Sequence, residues 1–214
     1  MSAVEYVSTI APGLHRPHRS ALAALLEGIE ASVSDHHSEA ERAGAVADVL
    51  APVLGDPRIL SPEHRRASPD RYRTNIVHVA ADGSFSVVAL VWLPGQRTPI
   101  HSHRSWCVVG VHQGDEREVG YEADPGASAS MMRPTSSHLY RTGAVTWLPA
   151  GDDGTHHVEN AGTQTAISIH VYALDYRLVG SSILTTYPSD DSSQAGVPAG
   201  PTKWPAPVAL TGPR

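Results

Sequence analysis

The chain has 214 residues, enough for one domain of ordinary size with some appended helix. Its 22 acidic and 16 basic side chains give a formal charge of −6, and no basic run interrupts that balance, so nothing electrostatic favours nucleic acid. The longest apolar stretch, Val87 to Leu93, falls far short of the roughly 20 residues that cross a bilayer. The opening MSAVEYVSTI lacks the basic and apolar regions of a secretory leader. One cysteine, Cys107, cannot form an internal disulfide, which places the expected protein in a reducing cytoplasm, away from membranes.

From Ser20 to Leu54 apolar residues recur at helical spacing. Leu22, Leu25, Leu26 and Ile29 form one stripe, and Val46, Val49, Leu50 and Val53 form another. Ser20 is placed to cap the first helix, and Gly55-Asp56-Pro57 to stop the second. A short third helix is predicted after Ser61-Pro62-Glu63, with proline just inside its start. From Tyr72 the period changes to short runs rich in Val, Ile, Tyr, Trp and Thr. These are Asn75–Ala80, Phe85–Leu93, Trp106–His112, Glu116–Glu122, Ser137–Arg141, Ala144–Leu148 and Thr165–Tyr172. Turn signals separate them, at Asp82-Gly83, Pro94-Gly95, Gln113-Gly114-Asp115, Asp124-Pro125-Gly126, Thr142-Gly143 and Asp152-Asp153-Gly154. Many short strands without a fixed repeat predict an all-β sandwich or barrel, neither propeller nor solenoid. After Tyr187 the composition is that of a Pro/Gly/Ser-rich tail, in which Trp204 could pin the chain back onto the barrel. The expected organisation is a helical lead-in over 1–68, a barrel over 69–187 and a tail over 188–214.

Thirteen histidines are many for this length, and histidine is the commonest metal ligand. His15, His18, His36, His37 and His64 lie in polar contexts with no partner spacing and read as surface or capping residues. The informative segment runs Gly95-Gln-Arg-Thr-Pro-Ile-His101-Ser-His103-Arg-Ser-Trp-Cys107, with Gly114 seven residues on. On a strand, His101 and His103 project from the same face and can grip one metal. A second segment, Gly143 to Asn160, carries Pro149, Gly151, His156 and His157. Adjacent strand residues face opposite sides, so only one of that last pair can bind the same metal, and the motif register favours His156.

Together the two segments resemble the paired motifs of the cupin superfamily, G-x5-H-x-H-x3-E-x6-G and G-x5-P-x-G-x2-H-x3-N. The second fits with two extra residues before the histidine, and the first has Cys107 where a cupin supplies glutamate. The resemblance implies a jelly-roll β-barrel with a metal inside it. The cysteine-for-glutamate exchange resembles the cysteine dioxygenase family, which oxidises small thiols to sulfinic acids with O2 at a three-histidine ferrous site. Ser168-Ile-His170-Val-Tyr172 is similar to the family's Ser-x-His-x-Tyr segment, Gly154-Thr-His156-His-Val-Glu-Asn160 to its G-x-H-x-V-E-N, and Trp92 to a family tryptophan. These similarities cover roughly Tyr72 to Tyr172, just under half of the chain. They imply Fe(II) on His101, His103 and His156, a relay of Ser168, His170 and Tyr172 beside the bound thiol, and a thioether between Cys107 and Tyr172. The other reading of Cys107 is a small buried apolar thiol.

The resemblance departs from the family at the substrate anchor. Family members hold the substrate carboxylate with Arg or Gln in a segment like Y-x-R-N, whereas this chain reads Tyr72-Arg73-Thr74-Asn75. Thr74 offers one hydroxyl in place of a charged fork. Arg73 should face the other side of its strand, and Arg104 and Arg177 are the other candidate cations. Tyr72, Thr74, Trp92 and Arg104 are thus the expected substrate contacts. Ser102 replaces the aspartate usual between the ligand pair, while His112, His138 and His78 are not expected to be ligands. Cysteine, 3-mercaptopropionate, cysteamine and ergothioneine remain open as substrates. A rival reading is a zinc or nickel cupin that is not an oxygenase, because fold alone does not set function.

Overall fold

The computed structural model describes residues 20–126 and 131–188. The predicted tail and Trp204, together with His15 and His18, lie outside the described residues.

Two helices open the fold, α1 (Ala21–Ser34) and α2 (Glu39–Leu50). Ser20 caps α1 by accepting the Ala23 N–H, and Ser38 with Glu41 forms a capping box on α2. The predicted third helix shortens to one 3-10 turn, Glu63–Arg65. Pro62 precedes that turn as its cap, and Arg66 is already extended toward the first strand. Ten strands follow: β1 (Arg73–Val79), β2 (Ser86–Trp92), β3 (Ile100–His103), β4 (Cys107–Gln113), β5 (Asp115–Ala123), β6 (Met132–Arg141), β7 (Val145–Leu148), β8 (Gly151–Asn160), β9 (Ala166–Tyr172) and β10 (Ile183–Tyr187). A one-turn helix, α3 (Tyr176–Val179), joins β9 to β10.

The strands form two antiparallel five-stranded sheets, β1-β2-β9-β4-β7 and β10-β3-β8-β5-β6. This is the expected all-β cupin-type barrel behind a helical lead-in. Every residue of β2 and of β9 is buried, because the first sheet is covered on both faces. One face, with Val87, Ala89, Val91, Val108, Ile167, Ile169 and Val171, packs against Leu25, Ile29, Val46 and Leu50 of the helices. The other face turns Val88, Leu90, Trp92, Cys107, Val109 and Tyr172 into the barrel. Burying each such aliphatic side chain contributes about 1.5–3 kcal/mol. The helices therefore cover the back of the sheet whose front carries the site.

Two features differ from the sequence pattern. Asp152-Asp153-Gly154 is not a turn between strands but part of β8. There the register against β3 runs from His101↔His156 to His103↔Gly151, a bulge that absorbs the extra residues of the second motif. Strand β10 and helix α3 have no counterpart in the prediction. Both are short, and β10 is largely exposed, so neither shows a strong apolar period. Among the described residues no helix is long and apolar enough to cross a membrane.

At Gly110 the helical layer presses directly on β4. A Cβ built there would lie 2.8 Å from Leu50 Cδ2 and 2.9 Å from Leu54 Cδ2. Gly110→Val should therefore cost about 1–3 kcal/mol through overpacking. Thermal unfolding followed by circular dichroism checks this, and an unchanged melting temperature would show that the helices do not press on β4.

Candidate metal centre and its cavity

His101 and His103 leave β3 on the same side, and the pairing of β3 with β8 sets His156 directly opposite His101. All three imidazoles are buried. His103 Nε2 lies 2.9 Å from His101 Nε2 and 3.2 Å from His156 Nε2, and the three ligand atoms all fall within 4.8 Å of one another. Burial, and after it the neighbouring His156, lowers His101 from 6.5 to about 3 and pushes His103 well below its usual range. Neutral imidazole is the form that binds metals.

The outer nitrogens test whether a cation fits. His101 Nδ1 is 3.0 Å from the Pro99 carbonyl and so carries the proton that it donates there. His156 Nδ1 faces Glu118 Oε1 at 3.6 Å. With protons on those outward nitrogens, the Nε2 atoms of His101 and His156 present lone pairs to a shared centre in a dry interior. Lone pairs held that close repel unless a positive charge lies between them, so the three residues fit a divalent cation. Three histidines suit iron or zinc alike.

On β9, Ser168, His170 and Tyr172 share the inner face. Ser168 Oγ is 2.9 Å from His170 Nε2, and Tyr172 Oη is 3.0 Å from His170 Nδ1. Trp92 Nε1 donates to Ser168 Oγ at 3.2 Å, while Tyr72 stacks on Trp92 with ring centroids 4.6 Å apart. Cys107 stands opposite Tyr172 in the β4–β9 register, the juxtaposition a thioether would require. Its Sγ is 3.8 Å from His170 Nδ1, and burial pushes the thiol pKa well up.

His101, His103, His156, His170 and Tyr172 face one cavity of about 30 Å³, which Tyr72, Thr74, Leu90, Trp92 and Val158 also line. A second, open depression of about 570 Å³ shares Tyr72, Thr74 and Tyr176 with it, and its wall carries Arg71 and Arg73. Arg104 is exposed and absent from both walls. The chain turns outward after β3, and its backbone N–H donates to the Ser182 carbonyl. Arg177 is spent on Asp175 at 2.8 Å. His157 points away from the cavity to Tyr121 Oη at 3.0 Å, and His112 accepts the Gly55 N–H at the helical side. His138 stacks on Tyr140 and His78 lies against Phe85.

The model of the cysteine dioxygenase type I family matches residues 59–180. The chain belongs to that family. Cysteine dioxygenase type 1 of Danio rerio is 29% identical over 106 residues, which is 48% of this chain and 51% of the relative. The Homo sapiens protein of the same name is 30% identical over 105 residues, again 48% and 51%. The chain thus spans about half the length of the curated relatives it matches. Among solved structures, a conserved protein with a double-stranded β-helix domain from Klebsiella pneumoniae is 20% identical. The match covers 63% of this chain and 100% of that one, with a TM-score of 0.43.

Sequence reasoning missed four polar residues of this family member's site. Tyr176 and Ser182 close the cavity from α3 and the turn before β10, and Glu116 and Glu118 approach from β5. Their alternation after Gly114 was the available signal for the two glutamates, since it places both on the inward face. A carboxylate behind a ligand histidine orients the ring and raises its basicity. Glu118→Ala should weaken zinc binding about 10–100-fold, with partial rescue in Glu118→Gln. Competition against a chelating dye measures this, and unchanged affinity in both variants would show that Glu118 does not orient His156.

Proposed function

We propose that this protein is an iron-dependent thiol dioxygenase that combines a small thiol with O2 to give the sulfinic acid, with His101, His103 and His156 holding Fe(II). The observation that carries the proposal is the convergence of three buried histidines and the hydrogen-bonded series Ser168-His170-Tyr172 on one cavity, in a chain of the cysteine dioxygenase type I family. A ferrous ion bound there would supply Lewis acidity to make a thiolate and the redox chemistry that O2 requires.

The protein residues bind, orient and exclude water. Leu90, Trp92 and Val158 give the cavity apolar walls, which strengthen every electrostatic contact inside it. Tyr172, fixed by His170, offers its hydroxyl to the reacting group. No Lys or Arg is among the described residues that line the inner cavity. Thr74, at the position where the resemblance sets a carboxylate anchor, lines the cavity beside Tyr176 and offers a single hydroxyl. Without a cation beside the metal, a carboxylate placed close to sulfur lacks a charge-assisted partner, worth about 1.5–3 kcal/mol. That supports a thiol larger than cysteine, or one with no carboxylate at that distance.

Oxygen consumption by anaerobically iron-loaded full-length protein, challenged in turn with cysteine, 3-mercaptopropionate, cysteamine and ergothioneine, tests the reading. Uptake is expected with one thiol at a kcat/KM above that for cysteine. Thr74→Arg should raise the value for cysteine at least about tenfold. Silence across the panel with iron bound would mean that Thr74 marks a different substrate class, whereas native zinc with no oxygen uptake would favour the metal-binding cupin that is not an oxygenase.

A further inference from the structure

The relay that ends at Tyr172 does not begin at Ser168. Behind Ser168 lies Glu116 of β5, 2% exposed, with its Oε1 touching no polar partner. Its carboxyl faces the Ser168 hydroxyl and the Trp92 indole, and Asn160, opposite Glu116 in the β5–β8 register, donates to the Trp92 carbonyl. Four polar side chains therefore stand in series: Glu116, Ser168, His170 and Tyr172. On the far side of Glu116 is a separate cavity of about 10 Å³, lined by Glu116, Glu118, Tyr140 and Thr146 among others.

Each link of this series holds one proton, so the direction of one hydrogen bond fixes the next. Trp92 Nε1 can only donate, and it does so to Ser168 Oγ. A neutral Glu116 carboxyl also donates to Ser168 Oγ. Both lone pairs of that oxygen are then taken, and the serine proton goes to His170 Nε2. His170 carries Nδ1–H, gives it to Tyr172 Oη, and leaves the phenolic proton for the cavity. An ionised Glu116, having released its proton to solvent, reverses every link. Ser168 then donates to the carboxylate and accepts from His170 Nε2–H, while His170 Nδ1 takes the Tyr172 proton. Tyr172 now shows the cavity only lone pairs.

We propose that Glu116 is a positioning residue that sets the polarity of this chain, making Tyr172 a hydrogen-bond donor to the cavity when protonated and an acceptor when ionised. Around the carboxyl stand Glu118 from its own strand, Tyr140 from β6, Asn160 from β8, Ser168 from β9, and Trp92 from β2, with His170 next along the series. Burial keeps Tyr140 and His170 uncharged near neutral pH, so neither offers the carboxylate a counter-charge. Burial foremost, with the Glu118 charge adding to it, moves Glu116 from 4.5 up to about 8 against the pull of Ser168 and Trp92. A buried oxygen with no partner also costs less on a neutral carboxyl than on an anion.

The test reads the His170 tautomer by nitrogen-15 NMR of histidine-labelled, full-length protein loaded with zinc, which is diamagnetic. In the unsubstituted protein His170 should carry Nδ1–H below neutrality and pass to Nε2–H with a midpoint near 8. Glu116→Gln, whose amide offers a donor at every pH, should hold the Nδ1–H form throughout. The infrared carbonyl band of a protonated carboxyl should vanish over the same range in the unsubstituted protein, a readout independent of whether the variant folds. A His170 tautomer that never changes with pH, or one that switches at the same pH in Glu116→Gln, would overturn the proposal. Neither readout involves a thiol or O2, so failure here is distinct from failure of the dioxygenase reading.

Discussion

Three imidazoles buried inside one barrel, with His103 Nε2 2.9 Å from that of His101 and 3.2 Å from that of His156, are the constraint on which the rest of this structure depends. Burial keeps His101 and His103 uncharged, and the outward contacts of His101 to Pro99 and His156 to Glu118 turn their Nε2 lone pairs inward. An apolar interior makes that arrangement costly when empty of charge and favourable around a cation. The rest of the fold serves to hold these rings in place. Strand β3 supplies two of them from one face, and its pairing with the bulged β8 fixes the third opposite the first.

The double-sided burial of the first sheet follows from the same need. β9 carries three hydrogen-bonding side chains on its inner face, which pack less well than aliphatics. Its outer face compensates with Ile167, Ile169 and Val171 against the helices, so one strand is both structural and chemical. Gly110 allows that helix layer to sit close. The lead-in thus stiffens the sheet from behind, while the loop around α3 and the start of β10 shape the cavity from the front.

Much of the site could be read along the chain because its spacings are those of strands. His101 with His103, and Ser168 with His170 and Tyr172, are each two residues apart, which fixes a shared face whatever the packing. Other features depend on three-dimensional neighbours. Asp152-Asp153-Gly154 has the composition of a turn, and only pairing with β3 makes it a bulge within β8. Arg104 is adjacent to a ligand in sequence, but the chain leaves β3 there and carries it to the surface. Glu116 and Glu118 resemble the solvent face of an ordinary edge strand, and only β8 and the first sheet folding over them show that they are buried. Tyr176 and Ser182 sit in short elements with no apolar period of their own.

The proposed dioxygenase activity requires that this cavity deliver both atoms of O2 to sulfur. The most direct measurement is the product mass after turnover of a thiol by the iron-loaded, full-length protein under isotopically labelled O2. Two labelled oxygen atoms on the product sulfur are predicted. One labelled atom, or oxygen drawn from water, would contradict the claim and remove the dioxygenase reading.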